Sequence, residues 1–316
     1  MSGGRDALPA PETARGEAAV DAPPAAVRWR WRGGLPEPLP LLLVAAALLA
    51  LWELAAWAYF VASVPPELRA GVISGADTTV PAEMRVVQMP LPLPHLVLAA
   101  LLSPENLEPL WLAGLVTLRS AVLGFAAGGA IGFLLALAMA QALVLERSVL
   151  PYVIASQMVP VIALGPIVYS ILKDESLARI LIAAYVTFFP VTVNTLKGLR
   201  SVDLGALALM RSYAASRWQV YRLLLIPAAL PFVFQALKIA ATASVIGAIV
   251  VELMGAQQGI GVTILRTQYY GPANAYKLWG AIVVASALGL LFFQVVALAE
   301  RLVTPWQPEL RRRPRG

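Results

Sequence analysis

The chain has 316 residues, of which 59% are hydrophobic and only 13% charged, with mean hydropathy +0.74 and a formal net charge of +6. Soluble domains carry roughly 25% charged residues, so this composition excludes an ordinary soluble surface, and it equally excludes whole-chain disorder or coiled coil. The basic residues cluster between long apolar runs, so the charge reads as membrane orientation, and no nucleic-acid partner is expected. There is no cysteine, which removes disulfides, thiolate metal sites and cysteine nucleophiles. The single histidine, His95, sits in Leu91-Pro92-Leu93-Pro94-His95. A rigid pre-helical turn suits a structural or interfacial role better than a catalytic one. One histidine cannot build a multi-histidine metal site.

In chain order, residues 1–34 are rich in Pro, Ala and Gly, with Arg5, Arg15, Arg28, Arg30 and Arg32. They lack the basic, apolar and cleavage regions of a signal peptide, and 1–38 is expected to be a disordered cytoplasmic tail. A membrane span needs about 20 mostly apolar residues, and six runs qualify: 39–62, 112–139, 149–172, 177–196, 231–254 and 278–299. Trp29 and Trp31 mark the interface before the first. Alanine-rich runs of this length are helices, because lipid offers the backbone no partner. The fold class is therefore all-α: a polytopic membrane protein of six transmembrane helices, with a first helix, a periplasmic segment over 63–111 and a five-helix core over 112–300. The prolines of 63–111 leave room for a short helix at 94–103, and 255–277 for an amphipathic one near 260–269. A basic tail, 301–316, ends the chain.

With the N-terminus inside, the inner segments hold sixteen Lys and Arg and the outer segments five. That bias places both termini in the cytoplasm. Polar residues within spans carry functional weight, because lipid makes them costly. Candidate path residues are Ser156 and Gln157 beside the kink-prone Pro160, Asn194 near the inner end of the fourth span, and Thr242, Ser244 and Glu252 in the fifth. Glu53 reads as a packing residue. Lys238 reads as a snorkelling one, too far from Glu252 to pair within one helix. Arg119 must face protein or water, or reach the headgroups. Gly124, Gly128 and Gly132 allow a close helix approach, within the chain or across a dimer. Pro160, Gly165 and Pro166 should interrupt the third span.

The loop 197–230 is the informative segment. Ser201 or Asp203 can cap a helix over 204–214, and Ser216 a second over 217–225. Pro227 and Pro231 should then break the chain before the fifth span. Two short, partly amphipathic helices result, lying either against the chain's own spans or as a docking surface for a cytoplasmic partner.

Here the sequence resembles a family: the inner-membrane permease subunits of binding-protein-dependent ABC importers. Their cytoplasmic motif reads Glu-Ala-Ala, three residues, Gly, nine residues, Ile, one residue, Leu-Pro. Its end matches Leu224, Leu225, Ile226 and Pro227, which sets the motif glycine on Ala214 and the Glu-Ala-Ala on Ala208, Leu209 and Met210. The string Arg211-Ser212-Tyr213-Ala214-Ala215-Ser216-Arg217-Trp218 also looks like the family's text, and the likeness runs over roughly 100–300. The resemblance implies a coupling loop in which Ala208, Leu209, Met210, Ser212, Tyr213, Ala214, Ala215, Ser216, Arg217, Trp218 and Pro227 meet an ATPase. It implies two cytoplasmic ABC ATPase subunits, a periplasmic or lipid-anchored solute-binding protein, and a second permease. Alanine in place of the motif glutamate and glycine suggests that the second permease is non-identical and carries a more standard motif.

The sequence is most similar to the nitrate, sulfonate and taurine group. Within it, ALKIAATASVIGAI over 236–249, Gln268-Tyr269-Tyr270 and Lys277-Leu278-Trp279 resemble importers of riboflavin or a thiamine pyrimidine precursor. The chain has no Gly-x-x-x-x-Gly-Lys-Ser/Thr loop, so it is expected to bind no cofactor and to catalyse nothing, with ATP and Mg used by the partner ATPase. Two rivals remain. An ion-coupled secondary carrier would ignore ATP, although no internal repeat supports it. A membrane enzyme would need a His, Cys or paired-carboxylate constellation that the sequence does not offer.

Overall fold

A computed structural model describes residues 38–63, 66, 69, 92–269 and 275–306. The expected N-terminal tail (1–38, all but its last residue), most of the segment 63–111, Tyr270 and the end of the basic tail lie outside the described residues. The chain divides into two compact units, Met1–Ala50 and Leu51–Gly316. What is described of the first, from Pro38, is helix throughout. The second holds everything below.

Eleven helices are described. They are α1 (Pro38–Ser63), α2 (Pro94–Leu102), α3 (Pro104–Gln141), α4 (Leu143–Ser156), α5 (Val161–Leu172), α6 (Glu175–Arg200), α7 (Leu204–Ser212), α8 (Arg217–Val220), α9 (Ile226–Glu252), α10 (Ile260–Tyr269) and α11 (Ala275–Val303). A π-helical turn, Tyr221–Leu225, joins α8 to α9. Prolines open α2 and α3 at their first helical positions, where a missing N–H costs nothing. Lys173, left-handed at φ 55°, closes α5 through an N–H bond to the Tyr169 carbonyl at 2.8 Å. The next residue, Asp174, caps α6 by accepting the Leu177 N–H at 2.8 Å. Two residues thus turn the chain between neighbouring helices.

Five helical runs are long and apolar enough to cross a membrane, at 42–63, 104–141, 175–200, 217–252 and 277–303. A sixth crossing exists if α4 and α5 count together. The expected third span at 149–172, interrupted as expected, lies within this pair, which is bent by 93°. At 14 and 12 residues, neither half reaches the about 20 residues that a span needs. The break falls at 157–160 and ends on the expected Pro160, while Gly165 and Pro166, also expected to interrupt the span, lie inside regular α5.

A second correction concerns Pro227 and Pro231, which do not break the chain. The π turn absorbs the first: the Ile226 N–H reaches back to the Tyr221 carbonyl, so the register shifts where proline removes a donor. The run from Arg217 to Glu252 is therefore one span of 36 residues, and the second loop helix is its leading end.

The core is assembled around α3, α6 and α9. Gly124, Gly128 and Gly132 of α3 lie flat against the α6 backbone, so their stripe serves contact within the chain. A methyl on Gly128 would sit 2.8 Å from the Ala184 Cα. On another face, Ala121, Phe234, Val245, Ala248, Phe292 and Val296 join α3, α9 and α11 in one apolar cluster. Lys238 does not snorkel; its Nζ donates to Glu300 Oε2 of α11 at 2.7 Å. Glu146 at the start of α4 pairs with Arg200 at the end of α6. Within the second unit, α1 contributes Glu53, whose Oε1 lies 2.7 Å from His95 Nδ1 on α2.

The glycine contact gives a direct test. Gly128→Val should lower stability by about 2 kcal/mol or more, read as thermal unfolding in detergent. Gly289→Ala, where an added methyl meets nothing within 4 Å, should be neutral or stabilising by less than about 1 kcal/mol.

Candidate functional site

Two polar regions sit at opposite ends of α9. The first is the helical loop that precedes it. Asp203 caps α7 by accepting the Ala206 N–H at 3.3 Å, while the Ser201 hydroxyl turns back to the Gly198 carbonyl at 2.8 Å. The far end of α7 closes in a Schellman arrangement: the Ala214 N–H donates to the Arg211 carbonyl at 2.9 Å and the Ala215 N–H to the Met210 carbonyl at 3.1 Å. This geometry needs a left-handed residue, and Ala214 supplies it at φ 51°. The position where the resembled motif carries glycine is therefore the one where a side chain is disfavoured. That stop also ends α7 at Ser212, short of the expected 214. Ser216 then starts α8 with a capping box, accepting the Gln219 N–H at 3.3 Å and donating its own N–H to Gln219 Oε1 at 2.8 Å.

No side chain of α7 or α8 is buried. Leu209 is 57% exposed, Tyr213 77% and Trp218 68%. Ala208, Ser212, Ala214, Ser216 and Arg217 are also exposed, whereas Met210, Ala215 and Pro227 are half-buried. The loop helices therefore do not lie down on the chain's own spans. They present large apolar groups outward, flanked by Arg211, Arg217 and Arg222.

The second region is the turn between α9 and α10. Its backbone is held by side chains from several helices. Glu175 of α6 accepts the Gln257 N–H at 2.9 Å, and Arg179 of α6 donates to the Gln258 carbonyl at 2.8 Å. Thr117 of α3 accepts the Ile260 N–H at 2.9 Å. Glu252, at the end of α9, accepts the Gly261 N–H at 2.9 Å and the Thr117 hydroxyl at 2.8 Å. Its carboxylate thus lies at the N-terminus of α10, where a negative charge is favoured. Gly259, at φ 125°, has to be glycine twice over, since a side chain there would overlap the Glu252 carboxylate. Beside the turn, a cleft of about 240 Å³ opens between α3 and α10, lined by Leu112, Val116, Gln257, Gln258, Thr263 and Arg266 among others.

The six candidate path residues are spread over three places. Ser156 and Gln157 mark the α4–α5 break. The Ser156 carbonyl accepts the Tyr185 hydroxyl, and Gln157 is exposed. Asn194 is half-buried and donates to the Pro190 carbonyl at 2.8 Å, and Thr242, also half-buried, to the Ile239 carbonyl at 2.9 Å. Ser244 and Glu252 are wholly enclosed by the chain's own helices. No two of the six hydrogen-bond through their side chains. Thr117, Glu175 and Arg179 escaped the sequence reading. Their signal is Glu252 followed within nine residues by Gly259-Ile260-Gly261, a close turn that needs polar partners. Among the described residues no three His, Cys, Asp or Glu side chains converge to hold a metal ion.

Two substitutions probe these ends separately. Ala214→Gly should relieve the left-handed alanine and raise stability by about 1 kcal/mol, read as thermal unfolding in detergent. Thr117→Val keeps the shape but strips Glu252 of a donor and Ile260 of an acceptor, and should cost about 2 kcal/mol. Faster hydrogen exchange at the Ile260 amide would locate that loss.

Residues 128–305 match the family described as binding-protein-dependent transport system inner membrane component. The formylaminopyrimidine transport permease protein ThiX of Halalkalibacterium halodurans is 33% identical over 71% of this chain and 89% of its own length. The riboflavin transport system permease protein RibX of Chloroflexus aurantiacus is 28% identical over 69% and 80%. A putative aliphatic sulfonates transport permease protein, SsuC of Bacillus subtilis, is 27% identical over 61% and 69%. Among solved structures, an amino acid ABC transporter crystallised with histidines shares the fold at TM-score 0.52 and 16% identity, over 64% of this chain and 96% of that one. The MetNI methionine ABC transporter in an inward-facing form does so at TM-score 0.50 and 23% identity, over 63% and 96%. A bundle of apolar helices carrying an exposed helical loop is thus joined to a match over more than half its length, and the chain belongs to the family of inner membrane components of binding-protein-dependent transport systems.

Proposed function

We propose that this chain is the permease subunit of an ATP-driven importer, forming the translocation path for a small organic solute that a binding protein delivers. The observation that carries the reading is the outward face of the α7 loop. Leu209, Tyr213 and Trp218 stand exposed where the chain's own helices do not cover them, and apolar groups so displayed mark a docking surface. In this reading two cytoplasmic ATPase subunits receive that face, and ATP and Mg stay with them. Charge bias sets the α7 loop and both termini in the cytoplasm of the bacterial inner membrane, with the α9–α10 turn on the opposite side, towards the binding protein.

A second permease completes the path, and the alanines at 208 and 214 favour a non-identical one. Gln157, Asn194 and Thr242 keep surface open towards that partner, while Ser244 and Glu252 act from behind the wall. The names of the relatives point to formylaminopyrimidine, riboflavin and aliphatic sulfonates as the range of solutes, with the first two favoured by the stretch 236–249. The chain is not an enzyme in this scheme.

Purification in mild detergent, with mass spectrometry of everything that accompanies the chain, tests the reading. An ATPase and a second permease should be recovered, and uptake in vesicles should require both ATP and binding protein. Leu209→Asp or Tyr213→Asp should cut recovery of the ATPase by about tenfold. Solute movement by the chain alone, indifferent to ATP, would replace the importer with an ion-coupled carrier.

A further inference from the structure

Between the end of α9 and the start of α10, residues 255–259 make a strap without secondary structure of its own. Among the described residues, the backbone of 255–258 bonds to side chains alone. The Gln257 N–H donates to Glu175 of α6 at 2.9 Å, and the Gln258 carbonyl accepts from Arg179 of α6 at 2.8 Å. The Gln257 carbonyl accepts from Arg266 of α10 at 3.3 Å. A glycine of positive φ stands at each end, Gly255 at 112° and Gly259 at 125°. Only glycine turns there without strain, and a short segment between two such turns is built to hinge.

The two sides of the strap are held differently. Beyond Gly259, Glu252 accepts the Gly261 N–H and Thr117 the Ile260 N–H, each at 2.9 Å, and all four residues are buried. Breaking that joint would strand buried donors, so it is the fixed anchor. At Gly255 an added methyl would meet nothing within 4 Å, and Gln257 and Gln258 are exposed. The Glu175 side chain is 23% exposed, so water can take over its bond when the strap lifts.

Lifting the strap off α6 also leaves no charge stranded. Arg179 and Glu175 are one turn apart on α6, with Nη1 and Oε2 at 3.9 Å. Freed from the strap, the two close on each other. The fastening therefore has two satisfied arrangements: each side chain on the strap's backbone, or the pair on itself. Gln257, Gln258 and Gly259 form one wall of the cleft between α3 and α10, so the position of the strap sets the shape of that wall.

We propose that residues 255–259 are a glycine-hinged strap that closes the solute path at the end of the bundle opposite the α7 loop, held or released by Glu175 and Arg179. This rests on the reading of the chain as an importer permease. Both side chains are positioning residues: they touch the strap, and solute enters when they let it go. Docking of the loaded binding protein favours the released arrangement, which ties ATP hydrolysis to delivery.

The chain has no cysteine, so a thiol pair from Glu175→Cys and Gln257→Cys is unique in it. The test uses the complex recovered with the chain, reconstituted in vesicles. A reductant-cleavable bis-maleimide across the pair should cut uptake about tenfold or more, and cleavage should return it to the level before linking. Glu175→Ala should raise ATP hydrolysis without binding protein about fivefold or more, whereas damage to the fold would lower it. Glu175→Gln, a weaker acceptor of the same shape, should do so by a smaller factor. Glu105→Ala, which removes the same charge from the first turn of α3, should leave hydrolysis unchanged. Uptake undiminished by the link, or hydrolysis in both Glu175 variants no higher than wild type without binding protein, would overturn the proposal. Failure of the importer reading shows earlier, as a chain recovered without an ATPase; failure of the strap shows as a complete importer that works while linked.

Discussion

A backbone that crosses lipid must satisfy its own hydrogen bonds, and each irregular place in this chain answers that demand with a particular side chain or register shift. Where α9 meets α10, three helices lend Thr117, Glu175, Arg179 and Glu252 to the turn 257–261. Where α4 bends into α5, the Tyr185 hydroxyl meets the Ser156 carbonyl. Where Pro227 removes a donor, a π turn lets the helix continue. Among the described residues, these three departures from straight helix fall where neighbouring groups complete the bonding.

The same constraint explains how the helices associate. Between helices in lipid there is little hydrophobic gain, so close contact and buried polar pairs take its place. The α3–α6 contact is backbone against backbone through Gly124, Gly128 and Gly132. The α9–α11 contact adds the Lys238–Glu300 pair, two charges that would be costly alone and are tolerable together. The α7 loop obeys different rules, because it leaves the bundle. It is built from caps, with Asp203 and Ser216 opening its helices and the Ala214 turn closing one, so its shape is set locally and does not depend on burial.

Much of this was legible in the sequence. Long aliphatic runs located the spans, and the helices near 94–103 and 260–269 were framed by proline and glycine. The cap at Ser216 followed from residue type alone, whereas residue type left the first between Ser201 and Asp203, and the structure uses Asp203. The bend in the third span was legible at Pro160, but not the continuity through Gly165 and Pro166, because proline and glycine mark where a helix can yield, while neighbouring packing decides where it does. Pro227 was read as a stop for a similar reason: a π turn has no composition of its own. The α9–α10 turn was only half legible. Glu252 stood out as an acid in a span, but its partner Thr117 lies 135 residues away in sequence, and Glu175, which holds the Gln257 N–H of the same turn, 82 residues from it, on helices whose pairing no periodicity reveals.

The run from α8 through the π turn into α9 has a mechanical consequence. Ser216 sits at its start and Glu252 at its end, so the loop and the α9–α10 turn are the two tips of a single lever. A helix of 36 residues is about 54 Å long, and a tilt of about 10° would sweep one tip by roughly 9 Å relative to the other. Only the π turn, with its looser register, offers a compliant joint. A load applied at the loop therefore arrives at Glu252, at the other end of the run, as rotation, without any intervening relay of side chains.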